Sequence, residues 1–291
     1  MTFVRHDGAL SEVPLAGRID PAARARLRVC EWAGLEVIEA RLPGPFRVMF
    51  TTRQGGVSAG PYASLNLSYR VDDDPKLVAD NRAWVAAAVD SRGRDIASQQ
   101  PLRLISPTQV HGVRVVGAAE YAAAGKGDGC DSIEDPCDGL VIHPLLDQGL
   151  AALLLFADCV PLVLVGEVDM AVVHGGWRGI LDGIVRQAGR AMTGPPGLAI
   201  IGPSLGPCCF TVGREVAGAF ADRFGTHVVV EEERVDLWAA ASVALEELGV
   251  RRGQIVNPRL CTACNRDLFY SYRAEGPTTG RHGCVAWTAA A

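Results

Sequence analysis

Three short apolar runs in the middle of the chain constrain its fold more than any other feature. They occupy residues 150–157, 161–165 and 170–173. Runs of this length, rich in Leu and Val and bounded by turn residues, predict buried strands. The intervening turn at 166–169 predicts that the last two strands form an antiparallel hairpin. Cys159 lies just before this hairpin and His174 just after it, so the pairing brings both side chains to one edge of a sheet.

A second histidine, His111, stands upstream in a Gln-Val-His-Gly segment. One thiolate and two neutral imidazoles suit zinc, at about 2.3 Å for sulfur and about 2.0–2.1 Å for nitrogen. Three protein ligands leave a fourth position for water or substrate, as in catalytic zinc sites. Taken singly, a buried Cys or His more often serves packing. The glycines around both histidines favour a site, because glycine permits close approach, and we predict that His111, Cys159 and His174 bind one zinc ion.

Three further side chains are candidates for substrate binding. Arg53 stands beside Gly55-Gly56 at the end of a predicted strand, where a planar guanidinium and exposed amides suit an anion, although paired glycines more often mark a turn. Gln109 orients His111, contacts substrate, or is a surface amide. Arg178 stands at the start of a predicted helix, where it adds charge to an anion site or pairs with a carboxylate.

The motifs around these residues resemble those of the laccase-domain family, whose members have been called polyphenol oxidases, peptidoglycan editing factors and purine nucleoside phosphorylases. The resemblance spans about residues 46–287 and rests on Thr-Thr-Arg-x-Gly-Gly-Val-Ser, Gln-Val-His-Gly, Ala-Asp-Cys-Val-Pro, His-Gly-Gly-Trp-Arg-Gly and Ile-Gly-Pro-Ser-Leu-Gly-Pro-Cys-Cys-Phe. It implies zinc binding by the His-Cys-His set and a site near Arg53, the phosphate candidate. It also implies phosphorolysis of adenosine, inosine or methylthioadenosine, and deamination of adenosine. The second arginine that often follows Arg273 in the family is Ala274 here.

The periodicities elsewhere predict an α+β fold. Asp74 followed by Pro75 predicts the start of a helix that runs to Val89. Further helices are expected at 21–33, 214–224 and 236–248, strands at 46–51, 102–105, 138–142, 198–201 and 285–287, and a loop at 118–136. With the resemblance, this pattern indicates a single-domain layered sandwich of mixed β-sheets and helices of the laccase-domain type. Residues 1–45 are expected to be a lead-in packed on the main domain, and 46–291 the metal-binding domain.

Composition argues against several classes of protein. A net charge of −5 gives no electrostatic footprint for nucleic acid. No apolar run approaches the length of a membrane span, and the first residues lack an apolar signal core, so we expect a cytoplasmic protein. The resemblance implies that its substrates are a purine nucleoside and phosphate. The oligomeric state stays open.

The nine cysteines are expected to stay reduced, because no export signal is present. Neighbouring residues of a strand point to opposite faces, so we expect that Cys208 and Cys209 are not metal ligands. Cys261 and Cys264 have the spacing of half a zinc site, but no second C-x-x-C follows them, so we expect no structural zinc there.

Four functions stay open from the sequence. The leading one is a zinc-dependent purine nucleoside phosphorylase with adenosine deaminase activity. Copper-dependent oxidation of phenols is the second, since a His-Cys-His set also suits copper, but six histidines are too few for a trinuclear centre plus a further site. The third is a metal-free hydrolase with Cys159 as nucleophile and His111 or His174 as base. The fourth is a factor that edits or binds a peptidoglycan precursor.

Overall fold

A computed structural model of the protein describes residues 13–91, 102–125, 135–231 and 233–289. The strands are β1 (Leu27–Trp32), β2 (Leu35–Ala40), β3 (Phe46–Thr51), β4 (Arg103–Ile105), β5 (Val115–Gly117), β6 (Gly139–Ile142), β7 (Leu150–Phe156), β8 (Val160–Val165), β9 (Met170–Gly175), β10 (Leu198–Ile201), β11 (Val229–Glu231), β12 (Arg234–Val235), β13 (Ile255–Val256) and β14 (His282–Thr288). The helices are α1 (Leu15–Arg18), α2 (Pro75–Asp90), α3 (Ala118–Ala123), α4 (Trp177–Asp182), α5 (Ile184–Ala191), α6 (Arg214–Phe224), α7 (Leu237–Glu247) and α8 (Tyr272–Glu275). Within these ranges, no helix has both the length and the apolar character needed to cross a membrane.

Two six-stranded mixed sheets form the centre of the fold. The first has the strand order β1-β2-β3-β14-β7-β4, and the second has the order β13-β10-β8-β9-β6-β5. The edge pairs β4–β7, β10–β13 and β5–β6 are parallel. The other pairs of both sheets are antiparallel, including the predicted β8–β9 hairpin. The predicted α+β class is therefore confirmed.

The sheets pack face to face between layers of helices. Side chains alternate along each strand, so Val48 and Phe50 of β3 enter the core between the sheets, while Met49 enters a second core beneath α2. The outer face of the second sheet is covered by α4, α5, α6 and α7, which share a third core with β8 and β9. The layered sandwich expected from the sequence is thus confirmed, in the order helix, sheet, sheet, helices.

Most predicted elements lie where they were expected, and the exceptions are the segments at 21–33 and 118–136. The helix α2 begins at Pro75 with Asp74 accepting a hydrogen bond from the Lys76 amide. The helix expected at 21–33 is instead a short 3-10 turn, Pro21–Ala23, followed by β1. Pairing of β1 with β2, and of β2 with β3, makes residues 27–40 part of the first sheet, and this tertiary contact overrides the local helical pattern. The loop expected at 118–136 is wrong at its start, where the short helix α3 lies, and residues 126–134 of it lie outside the described residues.

Two crossings between the sheets place the candidate site. The chain passes from the first sheet to the second between β4 and β5, and again between β7 and β8. Because β4 and β7 are parallel, both crossings leave the first sheet at the same edge, the one formed by the carboxyl ends of these two strands. The end of β9 lies at this edge too, since β9 runs antiparallel to β8. Three separate segments of the chain therefore converge there.

Candidate metal centre

His111, Cys159 and His174 come together at this edge. His111 lies in the first crossing, Cys159 lies in the second, and His174 lies on β9 opposite Pro161. One ligand atom from each of the three residues lies within 4.8 Å of the other two. His174 is buried, Cys159 is half-buried and His111 is exposed, so the group is open on one side.

The spacing of these atoms fits a tetrahedral metal ion. With a metal–sulfur bond of about 2.3 Å and a metal–nitrogen bond of about 2.05 Å, tetrahedral geometry separates sulfur and nitrogen by about 3.6 Å. The distance between Cys159 Sγ and His111 Nε2 is 3.5 Å. The His111 and His174 rings meet edge to face with centroids 4.8 Å apart, so each ring can direct one nitrogen to a shared point. The donor set of one sulfur and two nitrogens suits zinc and also copper.

Asp138 holds two of the three candidate ligands in place. Its Oδ1 lies 2.8 Å from His174 Nδ1 and accepts a hydrogen bond from the His111 amide at 2.9 Å. Its Oδ2 accepts hydrogen bonds from the Val110 and Gly112 amides. A carboxylate on one ring nitrogen of a histidine leaves the other nitrogen for a metal, as in many metal sites. Here that leaves Nε2 of His174.

Glycines give the His111 loop room to approach β9 and α4. A Cβ atom on Gly176 would lie 2.5 Å from His111 Cδ2, and one on Gly179 would lie 2.8 Å from the Gly112 carbonyl oxygen. His111 itself has a positive φ of 61°, which is uncommon for a residue with a side chain. The close approach expected of these glycines is therefore used to seat the His111 loop.

Charge interactions among the three side chains favour a thiolate beside an imidazolium when no metal neutralises them. Burial alone would raise the pKa of Cys159, but the charge of His174 and hydrogen bonds from both histidines lower this pKa to about 6. Burial alone would lower the pKa of His174, but the Cys159 thiolate and Asp138 raise it to about 9. The thiolate is the form that binds metals and acts as a nucleophile.

Asp158 fixes the turn that carries Cys159. It has a positive φ of 95°, and its carboxylate accepts hydrogen bonds from Thr262 Oγ1 at 2.6 Å and Ser271 Oγ at 2.7 Å. It also accepts a hydrogen bond from the Arg273 amide at 2.6 Å. Burial raises the pKa of Asp158, and these three donors oppose that rise. Residues more than a hundred positions away thus determine the path of the chain at Cys159.

A cavity of about 930 Å³ opens beside the three candidate ligands, a size typical of small-molecule sites. The aromatic side chains that line it are Tyr69, Tyr121, Trp177, Phe210 and Tyr272. The arginines that line it are Arg70, Arg82, Arg178, Arg273 and Arg281. The cavity therefore combines flat apolar surfaces with positive charge, which suits a ligand with a planar ring and an anionic group.

Arg53 does not line this cavity. Its guanidinium forms an ion pair with Glu275 at 2.7 Å, donates to the carbonyl oxygens of Ala63 and Arg266, and stacks on Tyr270. The amides that follow it are also occupied. Those of Gly56 and Val57 donate to side-chain oxygens of Ser64 and Asn81. These two amides are therefore used within the protein, and the position of Arg53 gives its phosphate role no support.

Gln109 and Arg178 do line the cavity, in different ways. The Gln109 amide both donates to and accepts from the backbone of Leu155 on β7, at 2.9 and 2.8 Å. These bonds tie the His111 loop to the first sheet, as the orienting role would require. Arg178 is exposed and its guanidinium stacks on the Trp177 ring at 4.3 Å.

Sequence reasoning missed Asp138 and four of the cavity arginines. Asp138 precedes β6, and Gly139 pairs with Val173, so Asp138 lies beside His174 only because β6 neighbours β9. An acidic residue at a strand end was the available signal. Arg82 lies on α2 and Arg273 on α8, whereas Arg70 and Arg281 lie in loops, so no single sequence pattern groups the four arginines.

The expectation for Cys208 and Cys209 rested on a wrong premise. Cys208 and Cys209 lie in a turn after β10, where the alternation of side chains on a strand does not apply. Their sulfur atoms meet those of Cys261 and Cys264, all within 4.8 Å of one another. The C-x-x-C pair thus has a partner pair, in the form of two adjacent cysteines.

Comparison with known proteins matches residues 47–289 to the family described as multi-copper polyphenol oxidoreductase laccase. A purine nucleoside phosphorylase of Deinococcus radiodurans is 38% identical over 248 residues, covering 81% of this chain and 87% of the relative. A purine nucleoside phosphorylase of Pseudomonas aeruginosa is 31% identical over 262 residues, covering 84% of this chain and 94% of the relative.

Solved structures share the fold. The crystal structure of YlmD from Geobacillus stearothermophilus has a TM-score of 0.74 and 29% identity, covering 87% of this chain and 96% of that one. A Neisseria meningitidis protein has a TM-score of 0.72 and 29% identity, covering 91% of this chain and 100% of that one. Family match, relatives and fold agree, and the chain belongs to the laccase-domain family that its motifs resemble, described as multi-copper polyphenol oxidoreductase laccase.

Proposed function

We propose that the protein is a zinc-dependent purine nucleoside phosphorylase that also deaminates adenosine. The observation that carries the proposal is the convergence of His111, Cys159 and His174 beside a cavity lined with aromatic rings and arginines. The names of the relatives, which are purine nucleoside phosphorylases, support the substrate class.

Zinc held by these three side chains would supply a Lewis acid with an open position, which can polarise an oxygen or activate water. Asp138 keeps His174 Nε2 directed to the zinc position and holds the His111 loop through three amides. Because the pKa of Cys159 is lowered to about 6, its side chain is a thiolate at neutral pH. These residues position the metal, and none of them needs to leave it during the reaction.

The cavity walls would bind the substrates. Aromatic rings such as Trp177 and Tyr272 offer flat surfaces for a purine, and stacking on an aromatic ring is worth about 1–3 kcal/mol per base in single-stranded nucleic-acid complexes. Arg178, Arg273 and Arg281 would hold the phosphate dianion, since guanidinium groups bind phosphate through paired hydrogen bonds. Holding both substrates in one cavity converts an encounter in solution into a reaction between oriented groups.

Both reactions then follow from the same site. In phosphorolysis a phosphate oxygen forms a bond to the ribose C1′, the bond from C1′ to the purine nitrogen breaks, and that nitrogen takes up a proton. In deamination a water oxygen bonds to C6 of adenine and the amino group leaves as ammonia. The first reaction needs a bound dianion and the second needs only water, so the arginines serve the first.

The product assay separates this proposal from the alternatives. Purified protein is stripped of metal, reconstituted with zinc or with copper, and incubated with adenosine with and without phosphate. We expect zinc to restore adenine and ribose 1-phosphate formation that depends on phosphate, and inosine formation that does not. Activity with copper and a phenol but not with zinc and adenosine would support the oxidase. Hydrolytic activity that survives metal removal and is lost in Cys159→Ala would support the cysteine hydrolase, for which the 3.5 Å Cys159–His111 contact provides a nucleophile and base.

A further inference from the structure

Four cysteines form a compact cluster that is separate from the candidate metal centre. The Sγ atom of Cys264 lies 3.6 Å from that of Cys208 and 3.5 Å from that of Cys209. Cys261 completes the group, and all four sulfur atoms lie within 4.8 Å of one another. Cys208 and Cys261 are buried, and Cys209 and Cys264 are half-buried.

The separations fit sulfur atoms around one ion. Four thiolates at about 2.3 Å from a tetrahedral zinc are about 3.8 Å apart. A disulfide would need about 2.05 Å, and no disulfide joins any of these four cysteines. A tetrahedral set of four sulfurs is typical of zinc or of iron–sulfur centres.

We propose that Cys208, Cys209, Cys261 and Cys264 bind a second, structural zinc ion. The site has no open position for substrate, because the protein supplies all four ligands. It does not depend on the proposed nucleoside chemistry, since none of the four cysteines belongs to the His-Cys-His set.

The surroundings of the sulfur atoms support a bound cation. The Gly206 amide donates a hydrogen bond to Cys261 Sγ at 3.3 Å, which stabilises negative charge on that sulfur. Four thiolates this close together would repel one another, and a divalent cation removes that repulsion by neutralising them.

The zinc would join two segments that build the cavity wall, residues 204–210 and residues 260–271. The Ser204 amide donates to the Leu260 carbonyl oxygen, and the Thr262 amide donates to the Ser204 carbonyl oxygen, both at 3.1 Å. From the first segment, Phe210 lines the cavity. From the second, Thr262 and Ser271 hold the Asp158 turn that carries Cys159. The inferred role of this zinc is therefore to fix the wall and the Cys159 turn, not to react.

Metal content and X-ray absorption test the site separately from the catalytic one. In Cys159→Ala the catalytic zinc should be lost, and the remaining zinc should number one per chain with four sulfur neighbours at about 2.3 Å. Adding Cys261→Ser to Cys159→Ala should remove it, and the matched addition of Cys30→Ser, on the edge strand β1, should not. Cobalt put in place of zinc in Cys159→Ala should show the intense visible absorption of tetrahedral thiolate coordination.

Several outcomes would overturn the proposal. These are no metal in Cys159→Ala, nitrogen or oxygen neighbours around its remaining zinc, iron in its place, or a disulfide among the four cysteines in protein purified under reducing conditions. If the variant with Cys261→Ser does not fold, the absorption spectrum of Cys159→Ala still decides the question. Failure of nucleoside turnover in the wild type would leave these results unaffected, so the two proposals fail independently.

Discussion

Replacement of Asp138 by asparagine isolates the effect of the carboxylate on the candidate metal centre. The side chain is fully buried and binds four N–H groups, two at each oxygen. Asparagine has nearly the same shape, but its NH₂ group cannot accept a hydrogen bond. Whichever way the amide is turned, its NH₂ group faces two N–H donors. These are either His174 Nδ1 and the His111 amide, or the amides of Val110 and Gly112.

The expected loss follows from these contacts. Substitution of the partner of a metal-binding histidine typically lowers metal affinity by about 10–100-fold, which is about 1.4–2.8 kcal/mol at about 1.4 kcal/mol per tenfold. We expect the upper end, because Asp138 positions two ligands at once and bonds to charged groups contribute about 1.5–3 kcal/mol each. Zinc affinity of Asp138→Asn should therefore fall by about 100-fold.

Competition with a chelator of known affinity measures this loss, with alkylation of Cys159 reporting when the centre is empty. The matched control is Asp169→Asn. Asp169 is also buried and accepts a backbone hydrogen bond, from Thr193 at 2.7 Å, but it lies at the far end of the β8–β9 hairpin. The control should bind zinc like the wild type. Wild-type affinity in Asp138→Asn, or an equal loss in Asp169→Asn, would refute the reasoning.

Three further predictions concern the same site. Arg178→Ala should weaken phosphorolysis more than deamination. Arg53→Ala should lower both activities alike and reduce the free energy of unfolding by about 2 kcal/mol. This loss is less than the roughly 3–5 kcal/mol of a fully buried pair, because the Arg53 side chain is 12% exposed. Steady-state rates and chemical denaturation of both variants check this, and a selective loss of phosphorolysis in Arg53→Ala would contradict it. Gly176→Ala should displace the His111 loop and lower zinc affinity, since its Cβ would lie 2.5 Å from the His111 ring. Gly218→Ala, where a Cβ meets open space, should leave zinc affinity unchanged. Equal zinc affinities of the two variants would contradict this prediction. In metal-free protein the alkylation rate of Cys159 should rise with pH through about 6 and stay high above it, because the lowered pKa keeps the thiol ionised at every pH above that value. Zinc should suppress the reaction. A midpoint near the pKa of an ordinary thiol would contradict the prediction.

The proximity of Cys159 and His174, two of the three candidate ligands, was predictable because it depends on one hairpin. Apolar runs define β7, β8 and β9, and antiparallel pairing then places Cys159 beside His174 without knowledge of the rest of the chain. His111 needed the family motif as well, since its loop reaches the site through a crossing between sheets that no local pattern encodes.

The sequence is least informative where distant contacts decide the role of a residue. Arg53 resembles an anion ligand in its own motif, but its partner Glu275 lies 222 residues away. Asp138 becomes a positioning residue only through the pairing of β6 with β9. Cys208 and Cys209 were assigned to a strand, and a turn allows both sulfurs to face one point.

Anomalous diffraction from crystals of the purified protein tests the central claim most directly. Data collected on both sides of the zinc absorption edge locate zinc and distinguish it from copper. The account predicts a zinc peak at about 2.0–2.1 Å from His111 Nε2 and His174 Nε2 and at about 2.3 Å from Cys159 Sγ. A peak at this point that is already strong below the zinc edge and above the copper edge would show copper instead. No peak there in protein that forms adenine from adenosine and phosphate would contradict the account.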